Sequence, residues 1–142
     1  MIVQMPKPPP RINSEFFTEA VLLVRIDRKR EFCEAIFLRG HDGLMEVRAF
    51  LDTHCDVDHF NLSARFINDG ELDARLSDLD KSFSVESLTD FEGITIEIGE
   101  FYGEHSNLVE IASVIIRAHS GQTIVLKPDP DRWIADQFMV VR

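Results

Sequence analysis

The apolar positions along the chain mostly recur at period two, as they do where one face of a strand is buried. Val21–Ile26 and Phe32–Leu38 flank the charged stretch Asp27-Arg28-Lys29-Arg30, the layout of a hairpin with a solvated tip. In Leu44–Leu51, Met45, Val47, Ala49 and Leu51 fall on one face, with Glu46 and Arg48 on the other. Asn61–Ile67 repeats the pattern, setting Leu62, Ala64 and Phe66 against Asn61, Ser63 and Arg65, and Ile94–Ile98 alternates most cleanly. All are expected as sheet strands.

One segment changes to helical period. Leu72, Leu76, Leu79 and Phe83 are spaced four, three and four apart, which predicts one amphipathic helix over about 69–83. Asn68 or Asp69 can cap it. With Asn68 as the cap, Glu71 stands where a carboxylate can answer the cap's own amide, and Glu71 and Arg75 are placed for an i,i+4 pair.

Ser106–Ala118 satisfies either a helical face or a strand, but its branched residues Val109, Ile111, Val114, Ile115 and Ile116 favour a strand. His119–Gln122 then reads as a turn into Thr123–Lys127. For Arg132–Val141 a short helix around Trp133 and an edge strand both remain open. Prolines at 6, 8, 9 and 10 predict a flexible tail over 1–13, leaving 14–142 as a single globular domain. The expected fold is mainly β (α+β): an antiparallel sheet or sandwich with one packed helix.

Charge changes the picture more than composition does. Residues 52–104 hold fourteen acids and three bases, or −11, against a total of −10 for 142 residues. Clustered acids disfavour polyanionic nucleic acid and favour a basic protein partner, although an acidic surface also serves solubility alone. No apolar run approaches the ~20 residues that cross a bilayer, so no membrane association is expected. Two cysteines and a start without a signal-peptide pattern suggest a reducing, cytoplasmic setting.

The sequence carries no phosphate-binding glycine loop, dinucleotide fingerprint or nucleophile elbow. Asp90-Phe91-Glu92-Gly93 has a superficial likeness to a kinase loop, without the rest of that set. Asn61-Leu62-Ser63 forms a sequon that matters only in a secreted protein. The densest potential ligand group is His54, Cys55, Asp56, Asp58 and His59, whose donor types suit zinc but whose spacing matches no established site. A polar loop between two strands is the preferred account, with no metal, no cofactor and no catalytic residue assigned. The favoured surface is the outward face of the helix: Asp69, Glu71, Asp73, Asp78 and Asp80, partly neutralised by Arg75 and Lys81. A solvated face that complements the helix dipole is the plainer explanation of Asp69 and Glu71.

Phe66-Ile67-Asn68-Asp69-Gly70-Glu71-Leu72 opening a short helix, Leu88–Gly93 leading into a strand and the long hairpin after it resemble, in layout over about residues 20–127, small immunity proteins of bacterial polymorphic toxin systems. The resemblance implies a non-catalytic, acidic protein that blocks a toxin by covering its active surface. The leading expectation is therefore an acidic protein-binding module of immunity or inhibitor type. The rivals are a small metal-dependent enzyme or metal-binding protein built on His54–His59, and a homo-oligomeric β protein, such as a homodimer, pairing its strand edges.

Overall fold

The computed structural model of the chain describes residues 10–54, 57–100, 109–128 and 137–142. A 3-10 turn, Ser14–Phe16, leads into β1 (Glu19–Asp27), β2 (Arg30–Arg39), β3 (Leu44–His54) and β4 (Val57–Ile67). Helix α1 (Asp69–Ser77) precedes β5 (Phe83–Leu88), β6 (Phe91–Glu100), β7 (Val109–Ala118), β8 (Thr123–Lys127) and β9 (Phe138–Val141). Every pairing among these strands is antiparallel. The mainly β fold with one helix expected from the sequence is the fold observed.

The first hairpin closes where the charged tip placed it. Asp27 pairs with Arg30, and the two central residues Arg28 and Lys29 take positive φ of 49° and 68°. Backbone twist favours such a turn between antiparallel strands, but neither residue relieves its steric cost as Asn or Gly would.

Strand β2 organises the sheet. Its whole length pairs with β1 along one edge, while the other edge is shared: Ala35–Arg39 pair with β3, and Phe32 and Cys33 with β9. The fork coincides with an irregularity in β2, where Leu23 faces Ala35 and Val24 faces Cys33, so that Glu34 is an extra residue. A bulge bends its strand and shifts the facing of the residues beyond it. Here Cys33 belongs to one core, Ala35 to a second, and Ile36 to the first again.

From the fork, β3 and β4 form one limb and β9, β8, β7 and β6 the other, with β5 beyond β1. The sheet curls so that the limbs face each other, β4 lying near β7 without pairing to it. Between them sits the main core, which unites Leu22, Ile36, Leu38, Val47, Phe60 and Leu62 with Ile111, Val114, Ile116, Ile124 and Leu126. The Phe60 and Phe138 rings meet across it at 5.9 Å. On the outer face of β1 and β2, Val21, Leu23, Ala35 and Phe37 form a second core with Leu44 and Leu72, against which Leu76 and Leu79 pack. Ala20–Val24 is thus an unbroken apolar run because both of its faces are covered.

Several expectations need correction. The helix ends at Ser77, and Asp78 caps it, its amide donating to the Ala74 carbonyl. Phe83, in phase with the helical stripe, instead opens β5 opposite Arg25. Within the segment 132–141, Phe138–Val141 is a strand, and that strand is internal, between β2 and β8, rather than at an edge; Trp133, around which a short helix was the other expectation, lies outside the described residues. Strands β3 and β4 run further than expected, His54 pairing with Val57, so the supposed loop is largely strand. Of the stretch expected as a tail, residues 1–9 lie outside the described residues, whereas Ile12 packs against the main core and Asn13 caps the 3-10 turn. The hairpin of 109–127 is found as expected, with Ala118 and Gln122 bonded across its turn.

Candidate functional site

Helix α1 begins where its cap requires. The Asn68 side-chain oxygen accepts from the Glu71 amide at 2.8 Å, satisfying one of the free donors of the first turn. The expected pairing within the helix does not form. Glu71 lies 3.5 Å from Arg65 on β4, and Arg75 is drawn beneath the helix to Glu46 on β3 at 2.8 Å.

Glu46 is the most buried carboxylate described, with 3% of its side chain exposed, and it also receives Arg65 at 3.1 Å. Arg75 is 28% and Arg65 62% exposed, so one cation is half enclosed and the other largely in water. Glu34, at the bulge of β2, lies 3.7 Å from Arg48 and 4.0 Å from Arg75, whose guanidinium also stands 5.9 Å from the Phe37 ring centre. Alternation assigned Glu46 to the polar face of β3, and the helix then covers that face. The cluster pins α1 to the sheet through charge while Leu72, Leu76 and Leu79 pin it through apolar contact.

All five carboxylates singled out in the sequence are exposed. Asp69, Glu71 and Asp73 lie on α1, Asp78 is its C-terminal cap, and Asp80 belongs to the following turn, where its side chain accepts from the Ser82 amide. Asp69 is held to Arg39 at 2.7 Å and Glu71 to Arg65, which cancels much of their field. Asp73, Asp78 and Asp80 have no ion-pair partner among the described residues, so the acidic surface is smaller than the sequence suggested and lies toward the helix end.

A notch that sequence reasoning missed lies between the 3-10 turn, the β2–β3 connection and the end of β4. It encloses about 350 Å³ and is lined by Phe16, Phe17, Met45 and Phe66, with Gly43, and by Arg11, Asn13 and Asp42. Two glycines shape it. A Cβ on Gly40 would come within 1.8 Å of the Phe16 carbonyl oxygen, so only glycine lets the 3-10 turn lie across the β2–β3 connection. A Cβ on Gly43 would sit 3.3 Å from the Phe66 ring and narrow the opening. Phe16 and Phe66 remain 62% and 69% exposed. Phe66 was expected to face inward, in phase with Leu62 and Ala64, but the core ends before it.

The potential ligand group of the β3–β4 turn falls outside the described side chains. Cys55 and Asp56 lie beyond the described residues, as do the side chains of His54, Asp58 and His59. Among the described residues no group of three or more His, Cys, Asp or Glu is placed to hold a metal. The other cysteine, Cys33, is buried, and burial pushes its thiol up to about 12, which makes it a poor nucleophile. Asp90, within the kinase-like tetrapeptide, ties two turns together. Its carboxylate accepts from the Ser120 amide at 3.1 Å and its carbonyl from the His119 amide at 2.8 Å, and the bonds from Ser120 hold its carboxyl below the usual value.

No helix among the described residues is long and apolar enough to cross a membrane. The chain matches no family model, no curated protein and no solved structure.

Proposed function

We propose that the protein is a non-catalytic acidic binding module that covers a basic surface of a partner protein, in the manner of a small immunity or inhibitor protein. The observation that carries this reading is the display of Asp73, Asp78 and Asp80 on one short, exposed segment, with no arginine or lysine paired to them among the described residues. The segment is held rigid from beneath by Leu72 and by the Arg75–Glu46 pair, so little ordering cost falls on association. Opposite charge at such a surface speeds encounter and loses that effect as salt screens it.

The reading is tested by recovery of the partner from the native cell at low and high salt, with wild-type protein and with the double substitution Asp73→Lys and Asp78→Lys. A specific basic protein retained by the wild type, released by salt and not bound by the substituted chain is the expected result. Retention of the same protein by both chains at both salt concentrations rejects the acidic surface as the binding determinant.

A further inference from the structure

We infer that the notch beside the 3-10 turn binds a free aromatic α-amino acid, with its ring against Phe16, Phe66 and Met45 and its charged head at Arg11 and Asp42. The site is separate from the acidic binding surface and does not depend on it. Met45 and Phe66 pair across β3 and β4 and share the face turned to the main core, whereas the neighbouring Leu44 and Ile67 turn to the opposite face, which α1 covers.

The lining selects the body of the ligand. Phe17 is buried and Met45 half-buried against the main core, so the floor exists before anything binds, and the close approach at Gly40 holds the segment that carries Phe16. Phe16 and Phe66 make no ring contact with each other or with any other described aromatic residue, and their exposed area is what a ligand removes from water. Two phenyl rings and a thioether around one recess favour an aromatic guest, through ring–ring and sulfur–ring contact. At about 350 Å³ the notch is near the lower bound of small-molecule sites, roughly 300–1,000 Å³. It takes a single side chain with its head, not a dinucleotide.

The charged groups of the lining select the head. Arg11 and Asp42 both line the notch, yet they form no ion pair with each other or with any other described residue. The Arg11 guanidinium is a planar fork that fits a carboxylate, and the Asp42 carboxylate accepts from an ammonium. Asn13, whose oxygen accepts from the Glu15 amide, keeps its own amide hydrogens for the same carboxylate. An acid alone meets the like charge of Asp42, and an amine alone that of Arg11. A zwitterion answers both, and an α-amino acid carries the two groups on one carbon.

The test uses the full chain with its methionine methyl groups labelled with carbon-13, the Met45 signal being assigned by Met45→Leu. The probes are L-phenylalanine, phenylpropionate, which lacks the ammonium, and phenethylamine, which lacks the carboxylate. L-Phenylalanine is expected to move the Met45 signal saturably, through the ring current of a ring seated beside it, and to leave the Met139 signal in place. The other two probes are expected to bind more weakly by about fivefold, the scale of one exposed ion pair. Arg11→Gln is expected to weaken L-phenylalanine and phenylpropionate but not phenethylamine, and Asp42→Asn to weaken L-phenylalanine and phenethylamine but not phenylpropionate. Both residues are exposed and an unmoved Met139 signal verifies that each variant is folded. Asp73→Lys with Asp78→Lys is expected to leave every titration unchanged, and a loss of binding there overturns the separation of the notch from the acidic surface. Equal affinity for the three probes, or variants that weaken them without regard to charge, overturns the amino-acid head. No saturable Met45 shift with any probe overturns the site.

Discussion

Replacing Arg75 with alanine leaves the Glu46 carboxylate, 3% exposed, with Arg65 as its remaining cation, and that guanidinium is 62% exposed. Breaking a buried pair from one side costs about 3–5 kcal/mol when the surviving charge has no other partner. Here Arg65 still donates at 3.1 Å and Arg75 is itself 28% exposed, so the expected loss is smaller, about 2–3 kcal/mol. That figure includes the contact over Phe37, worth ~0.5–1 kcal/mol. Removing the charge from the other side is cheaper, because Glu46→Gln keeps the shape and leaves two cations that can reach water or the neighbouring Glu34 and Glu71. About 1–1.5 kcal/mol is expected for Glu46→Gln, and less than about 1 kcal/mol for Arg65→Ala. Urea unfolding of the three variants measures the order, and Arg75→Ala is expected to lower the melting temperature by ~5–10 °C for a chain of this size. The double variant Arg75→Ala with Glu46→Gln should cost about 1–2 kcal/mol less than the sum of its parts, since both substitutions remove one interaction. Glu46→Gln as costly as Arg75→Ala, or a coupling near zero, would refute the account of a buried carboxylate held by a half-enclosed arginine.

Three further outcomes are expected. Replacing Arg28-Lys29 by Asn-Gly removes the cost of two left-handed residues and should stabilise by about 1 kcal/mol in a urea titration; no gain would show the tip to be unstrained. Gly40→Ala forces the Phe16 carbonyl away and should destabilise by more than about 2 kcal/mol, with the Met45 methyl signal displaced. The Cys33 thiol ionises in the unfolded chain near its ordinary 9.0, but in the folded chain only at about 12, so its contribution is intact below pH 9 and lost as pH rises from there. Wild-type stability is expected to fall by up to about 1.4 kcal/mol per pH unit more steeply than that of Cys33→Ala between these values, read from urea midpoints; parallel curves would contradict burial of the thiol.

The sequence by itself determined what depends on a few neighbouring residues. Alternation fixes the strands and the faces of β3, the Asn68 oxygen fixes the helix start, and the charged tip fixes the first hairpin. Tertiary structure decided whatever joins distant segments. Phe83 continues the helical stripe as well as any residue, yet its position opposite Arg25 makes it strand, because pairing along β1 outweighs weak local preference. The bulge at Glu34 divides β2 between β3 and β9, and so makes the last strand internal. Periodicity records which face a side chain shares, but not whether anything lies over it: a helix covers Glu46, while nothing described covers Phe66. For the same reason the fourteen acids of 52–104 were legible as a charge, but not as a field. Arg39 on β2 and Arg65 on β4 claim Asp69 and Glu71, and leave Asp73 and Asp78 facing water.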